Sequence, residues 1–337
     1  MEAAQKGKVL ITGITGYIGS HVCRQFLSAG NYAVRGTVRD TKNPKKIDPI
    51  REAFGEENFS RLELFEADLN SSESLDKAIE GCDFVVHVAS PFPSKVPKDE
   101  NIVIKPAVDG TVAVLRSCAK HGVKKLAITS SAYVAFTSQV ERNEKTEFDE
   151  RDFSDVTKSM APYEKSKVLA ERASWDFMET LPEESKFELV TLLPGFVLGP
   201  CLIKGEFASG DFMIKMLGGK LPGVPKMMLP IVDVRDVALG HFRAIDREGT
   251  GGNRFILSGS TKRFRELGVI LKAEFKQYKY SVPTREFSFC PMKMYSVIDS
   301  QAKQVLPLIG KDFHLSGEKA REQLGIDYID ATKVGTS

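Results

Sequence analysis

Residues 162–167 read Pro-Tyr-Glu-Lys-Ser-Lys. Tyr163 and Lys167 stand four apart, so a helix places both side chains on one face. In water each titrates near pH ~10, and neither alone exchanges protons readily at neutral pH. Together they form a proton donor with its own tuner. An ammonium beside a phenol favours the phenolate and lowers the phenol's pKa. A tyrosine so placed can give a proton to a developing alkoxide. Pro162 marks a helix start, whose positive end adds to the effect. Taken alone, the pair is an ordinary solvated helix face. The motifs around it carry the reading.

Carbonyl reduction also needs a group that polarises the carbonyl. Ser130 and Ser131 follow the strand-like run Leu126–Thr129. Side chains alternate along an extended chain, so only one of the two can enter a cleft. Seen alone, they are turn serines that satisfy local backbone groups. A hydride source is indicated near the N-terminus by TGITGYIGS, residues 12–20. Gly13, Gly16 and Gly19 are spaced by three, one residue longer in the first gap than the usual dinucleotide fingerprint. Such glycines let the backbone approach a pyrophosphate, with a helix N-terminus aimed at the same charge. Arg39 lies twenty residues beyond Gly19, where an NAD site carries an acid and an NADP site an arginine. Lys46 and Arg35 are further cationic candidates, and Asp40 is the acidic alternative. Asp68-Leu69 resembles a turn that contacts an adenine. The expected cofactor is therefore NADPH/NADP+, which carries the hydride.

The elements that must position these residues follow from hydropathy. Strand-like runs at Lys8–Thr12, Ala33–Val38, Leu62–Phe65, Phe84–Val88, Leu126–Thr129 and Leu189–Leu193 alternate with helical patterns. The helices are expected at Tyr17–Ala29, near Leu75–Ile79 with Ser71 or Ser72 as cap, at Val108–Lys120, and from Tyr163 to about Glu179. That alternation predicts a doubly wound parallel α/β sheet of the Rossmann type. The expected division is a cofactor-binding domain over 1–194 and a smaller substrate lobe over 195–337, partly interleaved with it. With 337 residues, 42% of them hydrophobic, the chain can bury a sizeable core. A net charge of +2 points to neither nucleic acid nor an anionic membrane as partner. No run approaches the ~20 apolar residues of a membrane helix, and the N-terminus has no signal-like apolar region. Cys23, Cys82, Cys118, Cys201 and Cys290 are scattered without a CxxC pair, so neither a metal site nor a disulfide framework is expected. A cytoplasmic monomer or homodimer acting on a small molecule is the expectation.

In order, TGITGYIGS, GTVRD, HVASPFP, KPAVDGT, ITSSA, YEKSK, TLLPGFVLGP and VDVRDVA make the chain resemble an extended short-chain dehydrogenase/reductase. More narrowly it is similar to the dihydroflavonol, cinnamoyl-CoA and methylglyoxal reductase group. The resemblance spans residues 8 to about 240 and implies a catalytic triad of Ser131, Tyr163 and Lys167. It implies a cofactor site built from Thr12, Gly13, Gly16, Tyr17, Ile18, Gly19, Arg39, Lys46, Asp68, Leu69, Val88, Ala89 and Ser90. Tyr163, Lys167, Pro194, Gly195 and Val197 complete that site, with Lys167 on the nicotinamide ribose. Substrate would meet Phe92, Ser131, Phe136 and Phe196. Pro91 and the segment 207–229, with Phe207, Phe212, Met213, Met216, Met227 and Met228, would add apolar surface. Plant flavonol reductases carry an asparagine and a glutamine where this chain has Ala135 and Pro230. The implied activity is NADPH-dependent reduction of aldehydes and ketones. The alternatives are dihydroflavonol reduction, 3β-hydroxysteroid oxidation, nucleotide-sugar epimerisation and a catalytically silent NADP-sensing regulator.

Overall fold

The computed structural model describes residues 5–90, 97, 99–204, 208–297 and 300–334. Its central sheet begins with strands β1 (Lys8–Thr12), β2 (Ala33–Val38), β3 (Leu62–Glu66), β4 (Phe84–His87), β5 (Lys125–Thr129) and β6 (Glu188–Pro194). These are the apolar runs read from the sequence. Most are continuous rather than alternating because helices cover both faces of a parallel sheet, whereas the edge strand β3 carries Glu63 and Glu66. The intervening helices are α1 (Tyr17–Ala29), α2 (Pro44–Phe54), α3 (Ser72–Ile79), α4 (Asn101–His121), α5 (Tyr133–Arg142) and α6 (Pro162–Thr180).

After Pro194 the chain leaves the sheet. It forms β7 (Phe196–Leu198), α7 (Ala208–Leu217) and β8 (Met228–Asp233), then returns through α8 (Val234–Asp246). The next strand, β9 (Asn253–Leu257), pairs parallel with β6 and completes seven strands in the order β9-β6-β5-β4-β1-β2-β3. β10 (Ser260–Arg263) joins β8 and β7 in a three-stranded sheet. Helices α9 (Phe264–Glu274), α10 (Phe289–Tyr295) and α11 (Ser300–Val305) come after it.

Three apolar clusters organise the packing. Phe26, Ile50, Phe242 and Phe255 lie among α1, α2, α8 and one sheet face. Leu75, Ile79, Leu115 and Leu189 lie under α3 and α4 on the other. Phe136, Met216, Met227, Phe264 and Phe313 pack the smaller lobe. Strand order reverses between β1 and β4, which is where the carboxyl ends of a doubly wound sheet open a crevice. Among the described residues no helix is long and apolar enough to cross a membrane.

Candidate active site

The chain turns sharply after β1 at Gly13, whose φ of 71° lies in the left-handed region. A Cβ on Gly13 would stand 2.9 Å from that of Ala89, and one on Gly19 only 2.2 Å from the Gly13 carbonyl oxygen. The loop is thus wound too tightly for side chains at these points. The Gly13 N–H donates to Thr37 Oγ1 at 3.0 Å. Thr12 Oγ1 accepts from the N–H groups of Val88 and Ala89, each at 3.0 Å. These bonds tie the turns after β1 and β4 together at the switch point. Gly16 gives α1 no side-chain cap, which leaves the first N–H groups of the helix for an anion. Tyr17 donates its hydroxyl to the Gly199 carbonyl at 2.9 Å, fastening the segment after β7 to α1.

A cavity of about 980 Å³ extends from this cradle. Every cofactor position expected from the sequence lies on its wall, from Thr12 through Asp68, Leu69 and Ser90 to Val197. At one end Arg39 and Lys46 are joined by Lys45. The sequence reading missed Lys45, although Asn43-Pro44 is a helix-start signal. Asn43 accepts from the Lys45 N–H at 3.1 Å and caps α2, so both lysines sit in its first turn. Asp40, the acidic alternative, is off the cavity wall, and its carboxylate accepts from the Lys42 N–H at 2.9 Å. Arg35 is not a phosphate ligand either. It is buried, donates to the carbonyls of Ala78 and Glu80, and pairs with Glu63 at 2.8 Å. Asp68 accepts from the Asn70 backbone and side chain at 2.8 and 2.9 Å, which shapes the turn after β3.

Midway along the cavity, α6 brings Tyr163 and Lys167 to the wall. Glu164 Oε2 accepts from the Ala161 N–H at 3.0 Å and caps this helix. Lys167 Nζ donates to the Thr129 carbonyl at 2.9 Å and stands 5.9 Å from the Tyr163 ring centroid. Tyr163 shares a hydrogen bond with Ser131. Burial pushes the Tyr163 phenol up to about 12, against the pull of that hydrogen bond. Burial outweighs the lowering hydrogen bond from Ser131. Burial likewise pulls Lys167 down to about 8, opposed by the charge of Glu171. Ser130 donates to Glu171 Oε2. Backbone bonds from Ser130 to Leu192 at 2.7 Å and from Ala132 to Pro194 at 2.9 Å set this register.

Beyond Tyr163 the wall is mostly apolar. Phe212 packs edge-on against Phe196 at 5.8 Å and Phe264 at 4.9 Å. Phe136 stacks on Phe313 at 4.5 Å. Met227, Met228 and Pro230 reach the cavity, whereas Met213 and Met216 pack into the lobe's core. Ala135 is fully buried and off the wall; Phe136 is the residue of that turn which reaches it. Pro91, Phe92 and Phe207 lie outside the described residues. Sequence reasoning missed the polar members of this wall, Tyr133, Glu164, Lys204 and Lys215. It placed the chain after residue 250 in the substrate lobe but named no site residue there; Met292, Tyr295, Val305 and Leu308 line the same cavity. Their spacing shows no period that distinguishes wall from core.

A glycine cradle at the switch point of a doubly wound sheet, with a buried Tyr–Lys–Ser cluster beside it, defines a dinucleotide-dependent oxidoreductase. The chain belongs to the NAD dependent epimerase/dehydratase family, whose model matches residues 9–257. It is 32% identical over 310 residues to the (2S)-flavan-3-ol-forming anthocyanidin reductase of Vitis vinifera, covering 88% of each chain. It is 35% identical over 263 residues to cinnamoyl-CoA reductase CAD2 of Medicago truncatula, covering 76% of this chain and 78% of that one. Among solved structures, Gre2 of Candida albicans in complex with NADPH matches with a TM-score of 0.79 at 29% identity, covering 97% of this chain and 96% of that one. The expected family, Rossmann fold and reductase class are borne out.

Proposed function

We propose that the chain is an NADPH-dependent carbonyl reductase. The observation that carries this reading is one cavity with Arg39, Lys45 and Lys46 at one end and the Ser131–Tyr163 pair on its wall. The residues present fit NADPH. The glycine cradle and uncapped α1 suit its pyrophosphate, and the three cations suit its 2′-phosphate. The cofactor supplies the hydride when bound. Ser131 polarises the substrate carbonyl, and Tyr163 gives its proton to the oxygen as negative charge develops. Burial keeps the phenol protonated through the neutral range, so the donor is loaded before reaction. Lys167, charged below about pH 8, then supports the phenolate left behind. The apolar walls exclude water and favour aldehydes and reactive ketones bearing aromatic or medium-chain groups. Such walls separate analogues by only ~10–200-fold, so a broad substrate range is expected.

A second reading is favoured by one observation. Tyr133 and Glu164 are among the polar residues of the mostly apolar wall, which suits a hydroxylated aromatic ketone such as a dihydroflavonol. NADPH oxidation across aldehydes, ketones, diketones, dihydroflavonols and steroids decides between them. We expect NADPH to be preferred over NADH, simple aldehydes to lie within about a thousandfold of the best substrate, and Tyr163→Phe to keep less than about a tenth of kcat. A dihydroflavonol favoured by more than that margin establishes the second reading. Equal use of both cofactors, or a Tyr163→Phe enzyme of near-parent kcat, overturns the mechanism.

A further inference from the structure

Behind the catalytic cluster lies a carboxylate that the reaction as described does not use. Glu171 is on α6, eight residues beyond Tyr163 and four beyond Lys167, so the three share one helix face. Its side chain is 1% exposed. Four donors converge on it. Ser130 Oγ and Thr191 Oγ1 donate to its two oxygens, the latter at 3.1 Å. Arg254 Nε donates at 2.7 Å, and Trp175 Nε1 approaches at 3.5 Å. These donors come from the turn after β5, from β6, from β9 and from α6 itself. Arg254 is anchored in turn by the carbonyls of Glu150 and Asp152, each at 2.6 Å.

A carboxylate with so many donors could serve packing alone, since burying an unpaired charge is costly and pairing is the usual remedy. Two features go further. First, the Ser130 hydroxyl is committed to Glu171, and the next residue, Ser131, is the one that hydrogen-bonds Tyr163. Second, Glu171 bears directly on the charge of Lys167. The titratable groups facing Lys167 are Glu171 and Tyr163 on α6, His87 at the end of β4, and His241 on α8. Burial holds both imidazoles well below their ordinary range, so they stay neutral. Glu171 is therefore the acidic group among them, and its charge opposes the burial that lowers the lysine.

We propose that Glu171 is the positioning residue of the reductase site, orienting Ser131 through Ser130 and maintaining the ammonium of Lys167 through its charge. This rests on the proton-donor reading of Tyr163 given above. Glu171→Gln keeps the shape and removes the charge; Glu171→Asp keeps the charge and shortens the reach; Ser130→Ala cuts only the link to the serine turn.

Two measurements test it. In the free protein, the Lys167 titration is followed by carbon-13 NMR of the lysine Cε signals, assigned with Lys167→Met. Its midpoint should fall in Glu171→Gln and stay near the parent value in Glu171→Asp and Ser130→Ala. Since this needs no turnover, it stands apart from whether the parent reduces carbonyls, which tests the functional reading. In steady state, Glu171→Gln should lose about ten- to a hundredfold in kcat, with the basic limb of kcat/KM moved to lower pH and the NADPH KM within about threefold. Ser130→Ala should lose several-fold in kcat, less than Ser131→Ala, with the limb unmoved. A Glu171→Gln protein that melts at lower temperature yet keeps the parent Lys167 midpoint and pH profile overturns the proposal, because the carboxylate is then packing only. If Glu171→Gln does not fold, parent-like kcat in Ser130→Ala or a fallen lysine midpoint in Glu171→Asp overturns it equally.

Discussion

Glu164 illustrates what one buried acid does to a site. Its carboxyl caps α6 yet is almost fully buried, and burial raises it to about 8 from an ordinary 4.5. The folded protein therefore holds a proton there that the unfolded chain has already lost. Its stabilising contribution is whole below about pH 4.5 and is lost as pH rises toward about 8. Glu164→Gln mimics the protonated form at every pH and still accepts from the Ala161 N–H. The variant should melt close to the parent in mild acid and above it near pH 8, as differential scanning calorimetry across the window would show. A melting difference that does not grow with pH would mean that the carboxyl is charged in the fold. Spacing and residue type made Tyr163, Lys167, Ser131 and the glycines legible in the sequence. They did not reveal Glu164 or Glu171. Both read as ordinary helix acids until burial is known, and burial is set by strands far away in the chain.

At the scale of elements, the strands were legible because a parallel sheet covered on both faces demands unbroken apolar runs. Helices interrupted by proline were not. Pro106 lies inside α4, which starts at Asn101 rather than Val108, and Pro49 lies inside α2. Proline reads as a break, yet these helices are long enough or well enough packed to absorb it. Helix α5 was missed because it comes after Ser131 with only Ala132 between, in a stretch where neither periodicity is clear. The first turn of helix α2 brings Lys45 and Lys46 to the cavity. Removing its cap through Asn43→Ala should cost about 1 kcal/mol and fray that turn. The expected result is a KM for NADPH raised several-fold, with kcat and the KM for NADH near the parent values. An equal rise for both cofactors would show that these lysines do not discriminate the 2′-phosphate.

For the molecule as a whole, the cavity is lined by the glycine loop and Tyr163 from the first two hundred residues and by Phe212, Met228 and Phe264 from the remainder of the chain. Helix α1 is fastened to the segment that follows β7. Tyr17 holds the Gly199 carbonyl, and His21 Nε2 meets that of Pro200 at 2.9 Å. The first half was legible by motif, because phosphate binding imposes glycines and cations at fixed spacings. The second half has no such constraint. An apolar wall can be made by many residues in many orders, so Met292, Tyr295 and Val305 carry no signature of the surface they form.

The last strand to join the central sheet, β9, has a bearing on how the protein is made. A nascent chain leaves the ribosome in order, and everything up to Asp246 is synthesised before Asn253–Leu257 exists. Until then β6 presents an unpaired edge, which invites pairing with other chains. Glu171, meanwhile, lacks the guanidinium of Arg254. Completion of the sheet and pairing of the buried carboxylate thus happen together, late in synthesis, and a partly made enzyme has neither. A chain stopped after Gly252 should accumulate in the insoluble fraction on expression, where the full chain is recovered soluble. A soluble, NADPH-binding product from the shortened chain would show that the six earlier strands suffice.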